Sequence, residues 1–170
     1  EREEEMAPYG ALCSKREDDA GRPEAVMISH LVHRGLDPDL PCSVSGAVIG
    51  GLVRDALGWD GVVMTDSLDM RAIADRFGAG EASVMALSAG ADVALEANNL
   101  IETKPCPAPE MRRAIEAAVE DGRLGEDRLL EAAGRLDALS ERLERLRRAA
   151  VMAGRRAMER PGGLLIAAVC

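Results

Sequence analysis

Gly61-Val62-Val63-Met64-Thr65-Asp66 decides how this chain folds. Two β-branched valines and a methionine run without a polar break, then end on a threonine and a carboxylate. A continuous apolar run of this length suits a strand buried on both faces, as in a parallel sheet. The same character appears upstream in Ala25-Val26-Met27-Ile28-Ser29-His30-Leu31 and downstream in Val93-Ala94-Leu95-Glu96-Ala97. Helical segments alternate with the three runs. The first follows Ser43 or Ser45 as cap, carries Val48, Ile49, Leu52, Val53 and Leu57 on one face, and closes near Gly58. The next spans about Glu81 to Ala89, and a third about Glu110 to Glu120, ending near Gly122. The order β-α-β-α-β-α predicts an α/β fold with parallel strands and right-handed crossovers.

Outward from that unit, residues 1–24 read as an irregular or weakly helical lead-in, and residues 25–125 hold the alternating elements. Residues 126–160 read as one long helix. Its Leu129, Ala132, Leu136, Leu139, Leu143, Leu146 and Ala150 fall at alternating spacings of three and four. Such a seam serves either a coiled-coil partner or packing on the helix's own domain. Pro161-Gly162-Gly163 is expected to end the helix, and Leu164 to Val169 reads as the start of another strand in a tail spanning 161–170.

A chain of 170 residues suits about one domain. Its 21 Lys and Arg against 30 Asp and Glu give a net charge of −9, which argues against nucleic acid as a partner. Tyr9, Trp59 and Phe77 are the only aromatic residues, so base-stacking platforms are excluded and aliphatic side chains must fill the core. No apolar run approaches the roughly 18 residues that cross a bilayer. Cys13, Cys42, Cys106 and Cys170 form no C-x-x-C pair and are expected to be free thiols. The chain opens on glutamate without a signal-peptide pattern, so it reads as a fragment whose N-terminal part is missing. That leaves a cytoplasmic and a secreted location equally open.

In parallel α/β folds the reactive groups gather where strands end and loops begin. Asp66 closes the second run and is placed to act as nucleophile, general base or metal ligand. His30 closes the first run; it is either a site residue or a packed histidine bonded to a backbone carbonyl. Glu96 is a weaker version of Asp66, Asp69 reads as a local cap, and His33 as a loop residue. No G-x-S-x-G, H-E-x-x-H or Walker pattern is present. Gly46, Gly50 and Gly51 lack dinucleotide spacing and a preceding strand. No metal ligand set and no cofactor are expected.

Five ordered segments carry a likeness to a known family. They are Val26-Met27-Ile28-Ser29-His30; Leu36-Asp37-Pro38-Asp39-Leu40-Pro41-Cys42-Ser43-Val44-Ser45; Leu57-Gly58-Trp59-Asp60-Gly61 continuing through Val62-Val63-Met64-Thr65-Asp66-Ser67-Leu68-Asp69-Met70; Gly80-Glu81-Ala82; and Ala86-Leu87-Ser88-Ala89-Gly90-Ala91-Asp92. Together they resemble glycoside hydrolase family 3, with the β-N-acetylhexosaminidase branch the nearest in look. The likeness covers about residues 25 to 125 and weakens toward 160.

The resemblance implies a (β/α)₈ TIM barrel, here only its last three βα units, followed by a long C-terminal helical region. It implies a retaining hydrolase acting on a carbohydrate with β-linked N-acetylglucosamine or glucose. Asp66 matches the catalytic nucleophile, the first Asp of a T/S-D-D-L motif, and Ser67 stands where the family has a second Asp. His30 matches a histidine of the hexosaminidase branch and is expected to line the sugar site. The branch's general acid/base, a histidine on a K-H-F-P-G-H-G-like loop, has no counterpart in this sequence. An inactive enzyme fragment, a non-catalytic carbohydrate- or partner-binding relic, and a β-glucosidase-type member are the readings that remain.

Overall fold

The computed structural model describes residues 2–14, 21–97, 106–152 and 166–169. Helix α1 spans Arg2–Cys13, strand β1 Ala25–Ile28 and strand β2 Val62–Thr65. Helices α2 (Arg71–Ala74), α3 (Gly78–Ala89), α4 (Ala108–Glu120) and α5 (Glu126–Met152) follow, then strand β3 (Ile166–Val169). The three strands form one parallel sheet in the order β2-β1-β3, with Val26 opposite Val63 and Ala25 opposite Ile166. The final apolar run is therefore a strand, as expected, and it lies on the far side of β1. The lead-in holds a helix despite Pro8 within it, because Cys13 is buried and Tyr9 packs against the core.

Strand alternation sorts the sheet's two faces. Val26, Ile28 and Val63 are fully buried against the helices, whereas Met27 and Met64 lie half-buried on the opposite face. The third apolar run departs from expectation. Val93 makes a single parallel bridge with Met64, and no strand forms over Val93 to Ala97. Leu95 N–H bonds the Thr65 hydroxyl at 3.0 Å, so a side chain takes a rung of the ladder.

Between β1 and β2 the helix Ala47–Ala56 is wound wide, closed by an i→i+5 bond from Leu57 N–H to Leu52 C=O at 2.9 Å. Of the two expected caps, Ser45 serves: its Oγ accepts Val48 N–H at 3.3 Å. Trp59 is 1% exposed, and its indole N–H donates to Val62 C=O at 3.1 Å. The Arg22 guanidinium lies 4.6 Å from the centre of its ring. A Cβ on Gly61 would stand 2.6 Å from that ring, so the residue just before β2 is a glycine for lack of room. Gly90 ends α3 at φ 111°, a conformation that glycine adopts without strain.

The long helix α5 packs for only part of its length. Ala132 is buried, but Leu136, Leu143 and Leu146 are 37%, 41% and 49% exposed. Polar ties fix it beneath the strand starts: Arg135 Nε donates to Asp60 C=O at 3.0 Å, and Arg142 Nε lies 3.0 Å from a Glu24 carboxylate oxygen. Arg128 and Arg135 also reach the fully buried Asp92 carboxylate, which Arg54 grips from the other side. The Pro161-Gly162-Gly163 stop and the loop over 98–105 lie outside the described residues.

Candidate active site

Asp66 stands one residue past β2, and its N–H donates to Ile28 C=O at 2.9 Å, the last rung between β2 and β1. Alternation puts its side chain on the half-open face shared by Met27 and Met64. Carboxylate Oδ1 accepts Ser67 N–H at 2.7 Å, which fixes the plane of the group. Ser67 is held in turn at its hydroxyl, which donates to Asp69 Oδ1 and accepts Ala97 N–H at 2.8 Å. A hydroxyl can do both; an ionised aspartate in that position would only accept, and would face the Asp69 carboxylate with like charge. Asp69 is thus tied to the Ser67 hydroxyl, and α2 after it has no side-chain cap bond, so it does not form the local cap expected from the sequence.

His30 is 8% exposed and has two partners inside the protein. Nε2 lies 2.8 Å from Ser67 C=O, and Nδ1 lies 2.6 Å from Ser43 Oγ. A carbonyl only accepts, so the partners assign the proton to Nε2 and leave Nδ1 to accept the Ser43 hydroxyl. Ser43 itself is fully buried within a short 3₁₀ turn, Cys42–Val44. Neither partner is legible in the sequence, where Ser43 reads only as a possible helix cap and Ser67 only as a departure from a motif. His33 is exposed, and its carbonyl closes a turn by accepting Leu36 N–H and Asp37 N–H, both at 2.9 Å. Glu96 follows Leu95 on the segment beside β2, half-buried at the same end of the sheet as Asp66.

The loop over 31–45 is organised by Asp37. Its Oδ1 accepts Asp39 N–H and Leu40 N–H, each at 3.0 Å, and its Oδ2 accepts the Ser45 hydroxyl at 2.6 Å. The Ser45 bond, followed by those two backbone bonds, holds the Asp37 carboxyl below its ordinary pKa of 3.8. A carboxyl lowered in the folded state stabilises the fold above its unfolded value, and that contribution fades as pH falls through the folded value. The melting-temperature gap between wild type and Asp37→Asn is therefore expected to be present at pH 6 and to close as pH drops below 3.8. A gap that stayed constant through this range would contradict the assignment.

Among the described residues no three His, Cys, Asp or Glu side chains converge on a possible metal site, and no helix is long and apolar enough to cross a membrane. The site consists of one oriented carboxylate at a strand end and a buried histidine behind its loop.

Comparison with known proteins places this geometry. The beta-hexosaminidase LpqI of Mycobacterium tuberculosis (strain ATCC 25618 / H37Rv) is 37% identical over 127 residues, covering 71% of this chain and 29% of that protein. The solved structure of a family 3 beta-N-acetylglucosaminidase from Paenibacillus sp. str. FPU-7 superposes with a TM-score of 0.69 at 38% identity, over 81% of this chain and 24% of that one. The structure of M. tuberculosis LpqI gives a TM-score of 0.66 at 33% identity, over 79% of this chain and 37% of that one. The chain thus spans well under half the length of these relatives. The Glycosyl hydrolase family 3 N terminal domain, a TIM-barrel-like α/β fold, matches residues 2–139. With the strand-end aspartate where that fold keeps its chemistry, the chain belongs to glycosyl hydrolase family 3, as part of its N-terminal domain.

Proposed function

We propose that this chain carries the nucleophile of a retaining β-N-acetylhexosaminidase and works with an N-terminal half of the same domain. On this reading β1, β2 and the segment at Val93 are the sixth, seventh and eighth barrel positions. Residues 25–125 are then barrel, with the long helix following. The observation that carries it is Asp66: a carboxylate at the C-terminal end of a parallel strand, on the sheet's open face, oriented by Ser67 N–H. In the first step one Asp66 oxygen attacks the anomeric carbon while the bond to the leaving oxygen breaks. That oxygen takes a proton from an acid that the other half supplies. Water then attacks the same carbon and releases the aspartate, so the sugar leaves with its configuration retained. The relatives named beta-hexosaminidase and beta-N-acetylglucosaminidase favour a β-linked N-acetylglucosamine substrate over a β-glucoside.

The chain by itself is expected to give no detectable hydrolysis of an aryl β-N-acetylglucosaminide, since a general acid contributes roughly 10²–10⁴-fold. Adding a separately produced N-terminal half, with the same assay run on the aryl β-glucoside, is expected to restore turnover with preference for the acetamido sugar. Hydrolysis by the purified chain alone that disappears in Asp66→Ala would contradict the division of roles. A second reading, a non-catalytic module that binds a partner, is favoured by the exposed Leu136, Leu143 and Leu146 on α5. It predicts no turnover however the other half is supplied.

A further inference from the structure

We propose that His30 is a positioning residue: it fixes the Asp66 loop by clamping the Ser67 carbonyl, with its other ring nitrogen held by Ser43. The proposal rests on the reading of Asp66 as the nucleophile. Ser67 is anchored at three groups, each from a different direction. Its N–H goes to Asp66 Oδ1 at 2.7 Å. Its hydroxyl ties to Asp69 and to Ala97 N–H, on the segment beside β2. Its carbonyl goes to His30, at the end of β1. His30 is the anchor on the β1 side. The same carbonyl also accepts Met70 N–H at 3.1 Å, and Leu68 N–H donates to Leu95 C=O at 2.9 Å. Without His30 the turn keeps those two ties but loses its side-chain hold on the β1 side, and Ser67 N–H, the donor that orients the nucleophile, shifts with the turn.

The ring suits this task in its chemistry. The carbonyl needs an N–H, and an imidazole offers one at either nitrogen. The carbonyl selects which, because it only accepts, whereas a hydroxyl on the other nitrogen suits either form. Ser67 C=O thus keeps the proton on Nε2, and Ser43 Oγ, 2.6 Å from Nδ1 and fully buried, donates to the other nitrogen. Both nitrogens are then spent within the protein. A sugar hydroxyl would have to break one of these buried bonds to reach the ring, so direct sugar contact, the expectation from sequence, has no free group to use. An aspartate displaced by a fraction of an ångström attacks poorly, because near-attack geometry is steeply demanding.

The test begins with this chain and does not depend on turnover. Ring ¹⁵N shifts of His30 are expected to report the Nε2–H tautomer in wild type and in Ser43→Ala alike, since the Ser67 carbonyl that selects it remains. Hydrogen exchange at Ser67 N–H is expected to quicken about tenfold in His30→Ala, the factor that one lost hydrogen bond implies. Val63 N–H, bonded to Asp92 at the other end of β2, is expected to hold its rate. His30→Gln, whose amide N–H reaches as Nε2 does, is expected to restore most of the protection and serves as the test if the alanine variant does not fold. In the two-half enzyme His30→Ala is expected to lower kcat by roughly 10- to 100-fold with KM unchanged, equally on both sugars. An Nδ1–H tautomer in wild type, unchanged exchange at Ser67, faster exchange at Val63 to the same degree, or a loss confined to the acetamido sugar would each overturn the proposal. If Asp66→Ala kept its turnover, the nucleophile reading would fall while the tautomer and exchange results stood, so the two failures are distinguishable.

Discussion

Asp66→Ala is expected to lower turnover of the two-half enzyme by on the order of 10⁴-fold or more, because it removes the atom that forms the covalent intermediate. The fold should barely register the change. The side chain is half-buried and makes one bond, to Ser67 N–H, so its loss costs about 1 kcal/mol. A collapse in rate with an almost unchanged melting temperature therefore isolates chemistry from stability. The stereochemistry gives a second reading. An alanine leaves a gap on the face opposite the leaving group. Added azide can occupy it and attack the anomeric carbon in place of the aspartate. The expected product is the α-glycosyl azide, formed with inversion, since only one displacement has taken place. A variant retaining more than a tenth of the wild-type rate, or an azide product of β configuration, would remove Asp66 from the role.

The strands at β1 and β2 are legible because one fully buried and one half-buried face leave a continuous apolar run, and their boundaries fall close to where the composition changes. The segment at Val93 has the same composition but forms only one bridge. What differs is the Thr65 hydroxyl capturing Leu95 N–H, a competition between side chain and ladder that composition does not reveal. Helix α1 was obscured by its acid-rich start and by Pro8; its burial of Cys13 and packing of Tyr9 depend on tertiary contacts. At the site, residue type and strand-end position pointed to Asp66 and His30. The partners of His30 did not follow, because Ser43 and Ser67 lie 13 and 37 positions away and only the fold brings them to one ring. In the sequence Asp92 only closes the last of the five family-like segments, and its role is visible only where three arginines from distant positions meet on it.

That meeting sets the largest expected effect on stability. The Asp92 carboxylate is wholly buried and takes four donors. Oδ2 accepts Arg54 Nη2 at 2.6 Å and Val63 N–H at 2.9 Å. Oδ1 accepts Arg128 Nη2, and Arg135 Nη1 at 3.2 Å. Arg54 also donates to the carbonyls of Trp59, Gly61 and Gly90, so one guanidinium joins the wide helix, the start of β2 and the end of α3. Burial pulls the Arg54 pKa below its ordinary value, against the attraction of Asp92. The charge is thus kept in place against desolvation by its partner. Removing one member of a buried ionic cluster leaves the others uncompensated, typically at a cost of about 3–5 kcal/mol. Asp92→Ala is expected to lose that much, a drop in melting temperature of roughly 6–20 °C for a chain of this size. Asp92→Asn keeps the shape and an acceptor for Val63 N–H, so it isolates the charge and is expected to account for most of the loss. The exposed Arg112–Glu116 pair is the control: Arg112→Ala should change stability by less than about 1 kcal/mol. If Asp92→Asn cost no more than this control, the cluster would be a by-product of packing, and the hold of α5 on the sheet would rest on its apolar contacts alone.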